Sequence, residues 1–148
     1  MNIMSDKKAD YVKQEMTELA KITSNCNIPD NETILVQRTI RSGQTVQYSG
    51  HIVILGDVNP GAEIIAGGNI MVLGCLRGIA HAGALGNQLA VVAAFRLEPT
   101  QLRIANHITR APDGEKWQPQ QPEVARIKNG VVVIEKLQSL GERYLNFC

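Results

Sequence analysis

Between residues 50 and 74 the chain reads GHIVILGDVNPGAEIIAGGNIMVLG, and a glycine or alanine returns at positions 50, 56, 62, 68 and 74. An α-helix repeats near 3.6 residues and a strand at 2, so neither element alone generates this spacing. Two residues after each small position stands an aliphatic one, and that series is longer: Ile34, Ile40, Val46, Ile52, Val58, Ile64, Ile70, Leu76 and, most weakly, Ala82. A period of 18 is superimposed, because residues 50–66 laid on residues 68–84 coincide at Gly, Ile, Leu, Gly and two Ala positions. Three sixes make one coil. The spacing predicts an all-β chain folded as a three-sided parallel β-helix, a β-solenoid of about 18 residues per coil, with a short strand on each side and a tight bend at each corner. Aliphatic positions then stack inside as ladders. Small residues fall near corners, where a Cβ would crowd the bend or φ is positive. After Gly86 the register slips, putting Gln88 on the aliphatic phase, and LAVVAAF and QLRIANHI supply looser coils.

The rest of the chain divides around this middle. Residues 33–111 hold ten of the thirteen glycines, six arginines, three acids and no lysine, whereas both ends mix Lys with Glu and Asp. Residues 1–32 form a short N-terminal segment with one expected helix over 9–22, whose apolar side carries Val12, Met16, Leu19 and Ile22. Residues 112–123 read as a Pro/Gln-rich linker. In the C-terminal tail, residues 124–148, Asn129-Gly130 between β-prone runs signals a hairpin.

Composition excludes several functions. A length of 148 residues and 44% apolar content suit one domain with a filled core. Net charge is +1, which gives no reason to expect nucleic acid or an anionic membrane as a direct partner. Cys26, Cys75 and Cys148 are far apart and form no C-x-x-C pair, so they read as reduced structural thiols. The N-terminus has no apolar signal core and no run approaches a membrane span, which points to the cytoplasm. No G-x-G or G-x-x-x-x-G-K stands in the glycine-rich middle, so nucleotide binding is not expected. His51, His81 and His107 have no local metal spacing. Neither a metal, a cofactor nor a catalytic residue is expected.

Coiling brings sequence-distant residues together. An 18-residue step stacks Arg41 under Asn59 and Arg77, Gly43 under Gly61, and Thr45 under Glu63 and His81, with strands about 4.8 Å apart. Polar groups gather on one edge, either as a solvated corner or as a docking surface. Strand alternation also turns Leu35, Val53, Leu55, Met71 and Leu73 outward, which makes one side of the triangle apolar. Such a patch marks an interface, and it predicts a two-fold homodimer unless the N-terminal helix or the C-terminal hairpin covers it.

The runs RSGQ at 41–44, LGDVNPGAEIIAGGNI at 55–70 and LRG-x-A-x-AGA at 76–84, within residues 38–113, resemble the C-terminal domain of the bacterial septum-site-determining protein MinC. PEVARIKNGVVVIEKL resembles that family's ending. The resemblance implies a right-handed, dimeric β-helix that is no enzyme and that binds MinD, a membrane-associated ATPase that recruits the inhibitor to the membrane. It also links such domains to septal targeting and contact with the FtsZ tail. A larger N-terminal module that antagonises FtsZ polymers belongs to the family, and residues 1–32 are too few for it. RSGQ matches the MinD-docking motif, which assigns Arg41, Ser42, Gly43 and Gln44 to docking, with Asn59, Gly61, Glu63 and Arg77 beside them. Their chemistry suits the role: Arg41 carries a planar donor fork, Ser42 and Gln44 form directional hydrogen bonds, and Gly43 allows close approach. Ile79 departs from the family, which often has arginine there. Two other solenoids share the six-residue period: hexapeptide-repeat acyltransferases, which use a histidine at a trimer cleft, and self-polymerising bactofilin-like proteins. A trimer with affinity for acyl-CoA would favour the enzyme.

Overall fold

TILV, TVQY, HIVI and EIIA each turn two side chains inward before a corner ends the run, and each forms a four-residue strand. They are β1 (Thr33–Val36), β2 (Thr45–Tyr48), β3 (His51–Ile54) and β4 (Glu63–Ala66). The chain continues through β5 (Ile70–Leu76), β6 (Ile79–Ala82), β7 (Val92–Leu97), β8 (Gln101–Ile104), β9 (His107–Thr109), β10 (Glu123–Lys128) and β11 (Val131–Lys136). This is a computed structural model, and it describes residues 32–110 and 121–137. The expected helix over 9–22, most of the expected linker and the last eleven residues lie outside the described residues.

The strands build the expected three-sided solenoid of about four coils. One sheet has the order β1-β3-β5-β7-β10-β11 and the other β2-β4-β6-β8-β9. The third side is a column of single bridges, Ile40 to Val58 to Leu76. Sheet pairing is parallel from coil to coil, with Ile34 beside Ile52 and Ile52 beside Ile70 in one sheet and Val46 beside Ile64 in the other. Ile40, Ile52, Val58, Ile64, Ile70, Leu76 and Ala82 are fully or almost fully buried, each worth about 1.5–3 kcal/mol of burial for the larger side chains. Ile34 and Val46 belong to the first coil and are only partly buried, because among the described residues no coil lies beyond them.

Crowding explains the glycines on the six-residue phase, and only Gly56, which a Cβ would press against the Arg38 carbonyl, also has positive φ, 157°. A Cβ on Gly50 would strike the Glu32 carbonyl, one on Gly68 the His51 ring, and one on Gly74 the Asp57 carboxylate. Side chains at these corners cap the next coil's backbone. His51 Nδ1 accepts the Asn69 N–H at 2.8 Å, Asn69 Oδ1 accepts the Val91 N–H at 2.9 Å, and Asp57 Oδ1 accepts the Cys75 N–H at 2.8 Å. A backbone donor that leaves the ladder at a corner must find such a partner when half-buried.

The 18-residue step does not hold throughout. β4 pairs with β6 as Ile64 to Ala80, a step of 16, because the two-residue corner Arg77-Gly78 replaces the four-residue corner at 59–62. Ile79 therefore faces Glu63, and His81 faces Ile65. The expected stack of His81 on Glu63 is corrected accordingly. The next step is 22, Ile70 to Val92 and Ala80 to Leu102, since residues 83–91 loop outward before the chain rejoins the sheet.

Both sheets change direction at the C-terminal end. β9 runs antiparallel to β8, and β10 runs antiparallel to β7. The hairpin expected at Asn129-Gly130 is present, with φ of 53° and 79° at those residues, the primed-turn conformation that Asn-Gly favours. It extends the first sheet sideways. Glu123, read from sequence as the last linker residue, opens β10 and is buried beside Ala94.

Candidate docking edge and apolar face

The RSGQ run folds as one corner of the first coil. The Gln44 N–H donates to the Arg41 carbonyl at 3.0 Å, and Gly43 has φ of 85°, the arrangement of a type II turn with glycine at its third position. One coil later residues 59–62 repeat it: Ala62 N–H to Asn59 carbonyl at 3.0 Å, Gly61 at φ 86°, and Pro60 at the position that proline prefers. The two turns are tied by the Gly43 N–H on the Gly61 carbonyl at 2.9 Å. Ser42 leans over Gly61 so closely that a Cβ there would collide with its Oγ.

The structure brings the proposed docking residues to this edge. Arg41, Asn59 and Arg77 stand in register, because the Asn59 N–H bonds to the Ile40 carbonyl and the Arg77 N–H to the Val58 carbonyl. Arg41, Ser42, Gly43 and Gln44 are exposed, Asn59 is half-buried, and Gly61 is exposed. Glu63 is half-buried at the start of β4, between Thr45 and Ile79. The Arg77 guanidinium lies 4.0 Å from Glu98, the outer limit of an ion pair, with both groups substantially exposed. Arg41 has no side-chain partner among the described residues. Arg38, which the stacking argument did not single out, reaches the same corner and donates through Nη1 to Gln44 Oε1 at 3.3 Å. Its signal is a rotamer and not a register, so no spacing rule could have found it.

The His81 ring donates its Nε2–H to the Ala105 carbonyl at 2.9 Å. His51 is occupied in capping Asn69. Tyr48 donates its hydroxyl to the Glu32 carboxylate at 2.9 Å, and that bond raises the phenol above its usual range.

The apolar side is the outer face of the six-stranded sheet. Leu35, Val53 and Met71 lie in one row across β1, β3 and β5. Exposure is 53% at Leu35, 47% at Met71, 39% at Leu55 and 37% at Leu73, high values for large apolar side chains in adjacent strands. Phe95 in β7, 52% exposed, continues the surface beside Leu73. The six-residue count missed Phe95 because the outward loop had already shifted the phase. The hairpin lies at this sheet's edge and leaves these side chains uncovered, so it is not the cover that sequence allowed.

The model of the family described as septum formation inhibitor MinC, C-terminal domain, matches residues 34–137. The probable septum site-determining protein MinC of Heliobacterium modesticaldum is 67% identical over 107 residues, which is 72% of this chain and 37% of that protein. The corresponding protein of Symbiobacterium thermophilum is 55% identical over 107 residues, 72% of this chain and 46% of that protein. The chain thus spans less than half the length of these relatives. In three dimensions it is similar to a chain of the MinC:MinD cell division protein complex of Aquifex aeolicus, with a TM-score of 0.69 and 40% identity over 77% of this chain and 92% of that one. With the coils, the corner turns and the terminal hairpin all inside the matched span, this chain belongs to the MinC C-terminal-domain family.

Proposed function

We propose that this solenoid is the MinD-docking and dimerising part of a MinC-type division-site regulator. The observation that carries the reading is the corner at 41–44, a doubly stacked turn whose Arg41 guanidinium is exposed and has no partner among the described residues, in a chain 40% identical to one from a MinC:MinD complex. The turn's backbone is already fixed, so docking orders only the arginine side chain, whose planar fork offers two parallel donors to a carboxylate or to carbonyls. Asn59, Gly61, Glu63 and Arg77 extend the contact along the same edge. The apolar face is the homodimer surface, which leaves each subunit's edge open to MinD. Recruitment to the inner face of the membrane then comes through MinD and not through lipid contact by this chain. Contact with FtsZ belongs to the same proposal as a further partner of the solenoid.

Binding to MinD in ATP and in ADP, measured for wild type and Arg41→Ala, tests the docking. The expected result is binding in ATP that Arg41→Ala weakens without lowering the unfolding temperature. Equal binding by both proteins removes the edge from the account.

A further inference from the structure

Both groups that face the Gln44 carboxamide oxygen are donors. The Arg41 backbone N–H lies 2.9 Å from Oε1 and Arg38 Nη1 lies 3.3 Å from it. Were the amide turned over, three donors would meet with no acceptor among them, so chemistry fixes its orientation. With Oε1 spent inside the corner, Gln44 presents only its Nε2 group to the outside. That group has no partner among the described residues. The Arg41 guanidinium is a donor throughout its surface, and no acceptor in the described chain engages it. Apart from the Ser42 hydroxyl, the outward side-chain chemistry of the turn is donation alone.

We infer that this corner selects its partner by acceptors: carboxylates or main-chain carbonyls that meet the Arg41 guanidinium and the Gln44 Nε2 group together. Arg38 is a positioning residue, which holds Gln44 by its oxygen so that the nitrogen points outward. The inference rests on the MinD-docking reading and assigns the polarity of that contact.

Gln44→Glu separates this role from a purely architectural one. A glutamate keeps an oxygen for the Arg41 N–H, a bond that becomes charge-assisted, and for Arg38, whose bond becomes an ion pair, so the turn is held at least as well. Outward, however, an anionic acceptor replaces a donor. The full chain is compared as wild type, Gln44→Glu, Gln44→Ala, Arg38→Ala, Arg38→Ala/Gln44→Ala and Arg41→Ala, by affinity for MinD in ATP and by thermal unfolding. The expected result is that Gln44→Glu unfolds at or above the wild-type temperature yet binds roughly tenfold or more weakly. Arg38→Ala weakens binding in the wild-type background and adds nothing in the Gln44→Ala background, the signature of an effect passed through Gln44. Wild-type affinity in Gln44→Glu overturns the donor assignment. An Arg38 effect that persists without Gln44 overturns the positioning role. If Arg41→Ala binds normally, the docking edge itself fails, whereas loss with Arg41→Ala beside full binding with Gln44→Glu defeats only the polarity.

Discussion

Arg41 has its backbone tied to Gln44 and its guanidinium tied to nothing among the described residues. The turn therefore does not depend on what the side chain is, and substitutions there report on docking without confounding the fold. Lysine retains the charge but supplies a compact ammonium in place of a planar fork. Arg41→Lys is expected to weaken MinD binding nearly as much as Arg41→Ala, by about 1.5 to 3 kcal/mol for a charge-assisted bond. Titration calorimetry checks this, and a lysine variant that binds like wild type would reduce the contact to net charge. Tyr48 provides a second residue-scale test. Its hydroxyl donates to Glu32, so the bond favours the protonated phenol, is present below the ordinary tyrosine range and is lost as pH rises past the elevated value. Carbon NMR of the Tyr48 ring should show a titration displaced upward in the wild type and returned towards the usual value in Glu32→Gln. An unchanged titration would mean that the bond does not persist in solution.

At the scale of an element, burial depends on which coil a strand occupies. Ile64 in β4 is fully buried between Val46 and Ala80, whereas Ile34 occupies the same phase in β1 and is only half-buried. Ile64→Ala is expected to cost about 2 to 5 kcal/mol, since rigid ladders on both sides prevent collapse into the cavity, and Ile34→Ala clearly less. Denaturant unfolding of the two variants checks the order. Equal costs would show that the first coil is covered more fully than its described neighbours account for. The same contrast explains what sequence disclosed. The inward phase was legible because every coil must bury an aliphatic residue at each side, and that requirement leaves a period that can be counted. Corners carry no such requirement, so the two-residue corner at Arg77-Gly78 is invisible in the sequence, and an unbroken 18-residue step puts His81 above Glu63, where Ile79 stands. The outward loop at 83–91 likewise hid Phe95. RSGQ was legible as a corner from its glycine and its step to Gly61, but the bond from Arg38 to Gln44 depends on rotamers that no repeat encodes.

For the whole molecule, the outer face of the six-stranded sheet sets the question of assembly. Leu35, Met71, Leu55, Leu73 and Phe95 are all more than a third exposed, and parallel stacking puts them in contiguous rows. Scattered apolar residues on a surface need no explanation, but rows across four adjacent strands do. The hairpin widens this sheet and places Arg126, Glu135 and Lys128 in a salt-bridged group on β10 and β11, which gives the surface a charged border at the hairpin end. An apolar centre with a charged rim is the layout of a protein interface, and a sheet face related to a copy of itself by a two-fold axis can pair each row with its equivalent. Leu55→Asp or Leu73→Asp would set two carboxylates facing one another across that axis with no cation in these apolar rows to neutralise them. Each substitution is therefore expected to convert a dimer to a monomer in sedimentation while thermal unfolding shows the solenoid intact, because both side chains point away from the core. A cover supplied by residues 1–31 predicts otherwise. A chain trimmed to residues 32–137, which keeps the hairpin that closes the β7 edge, would then be aggregation-prone, and the aspartates would suppress its aggregation. If the trimmed chain sediments as a dimer that either aspartate splits, the face is the interface.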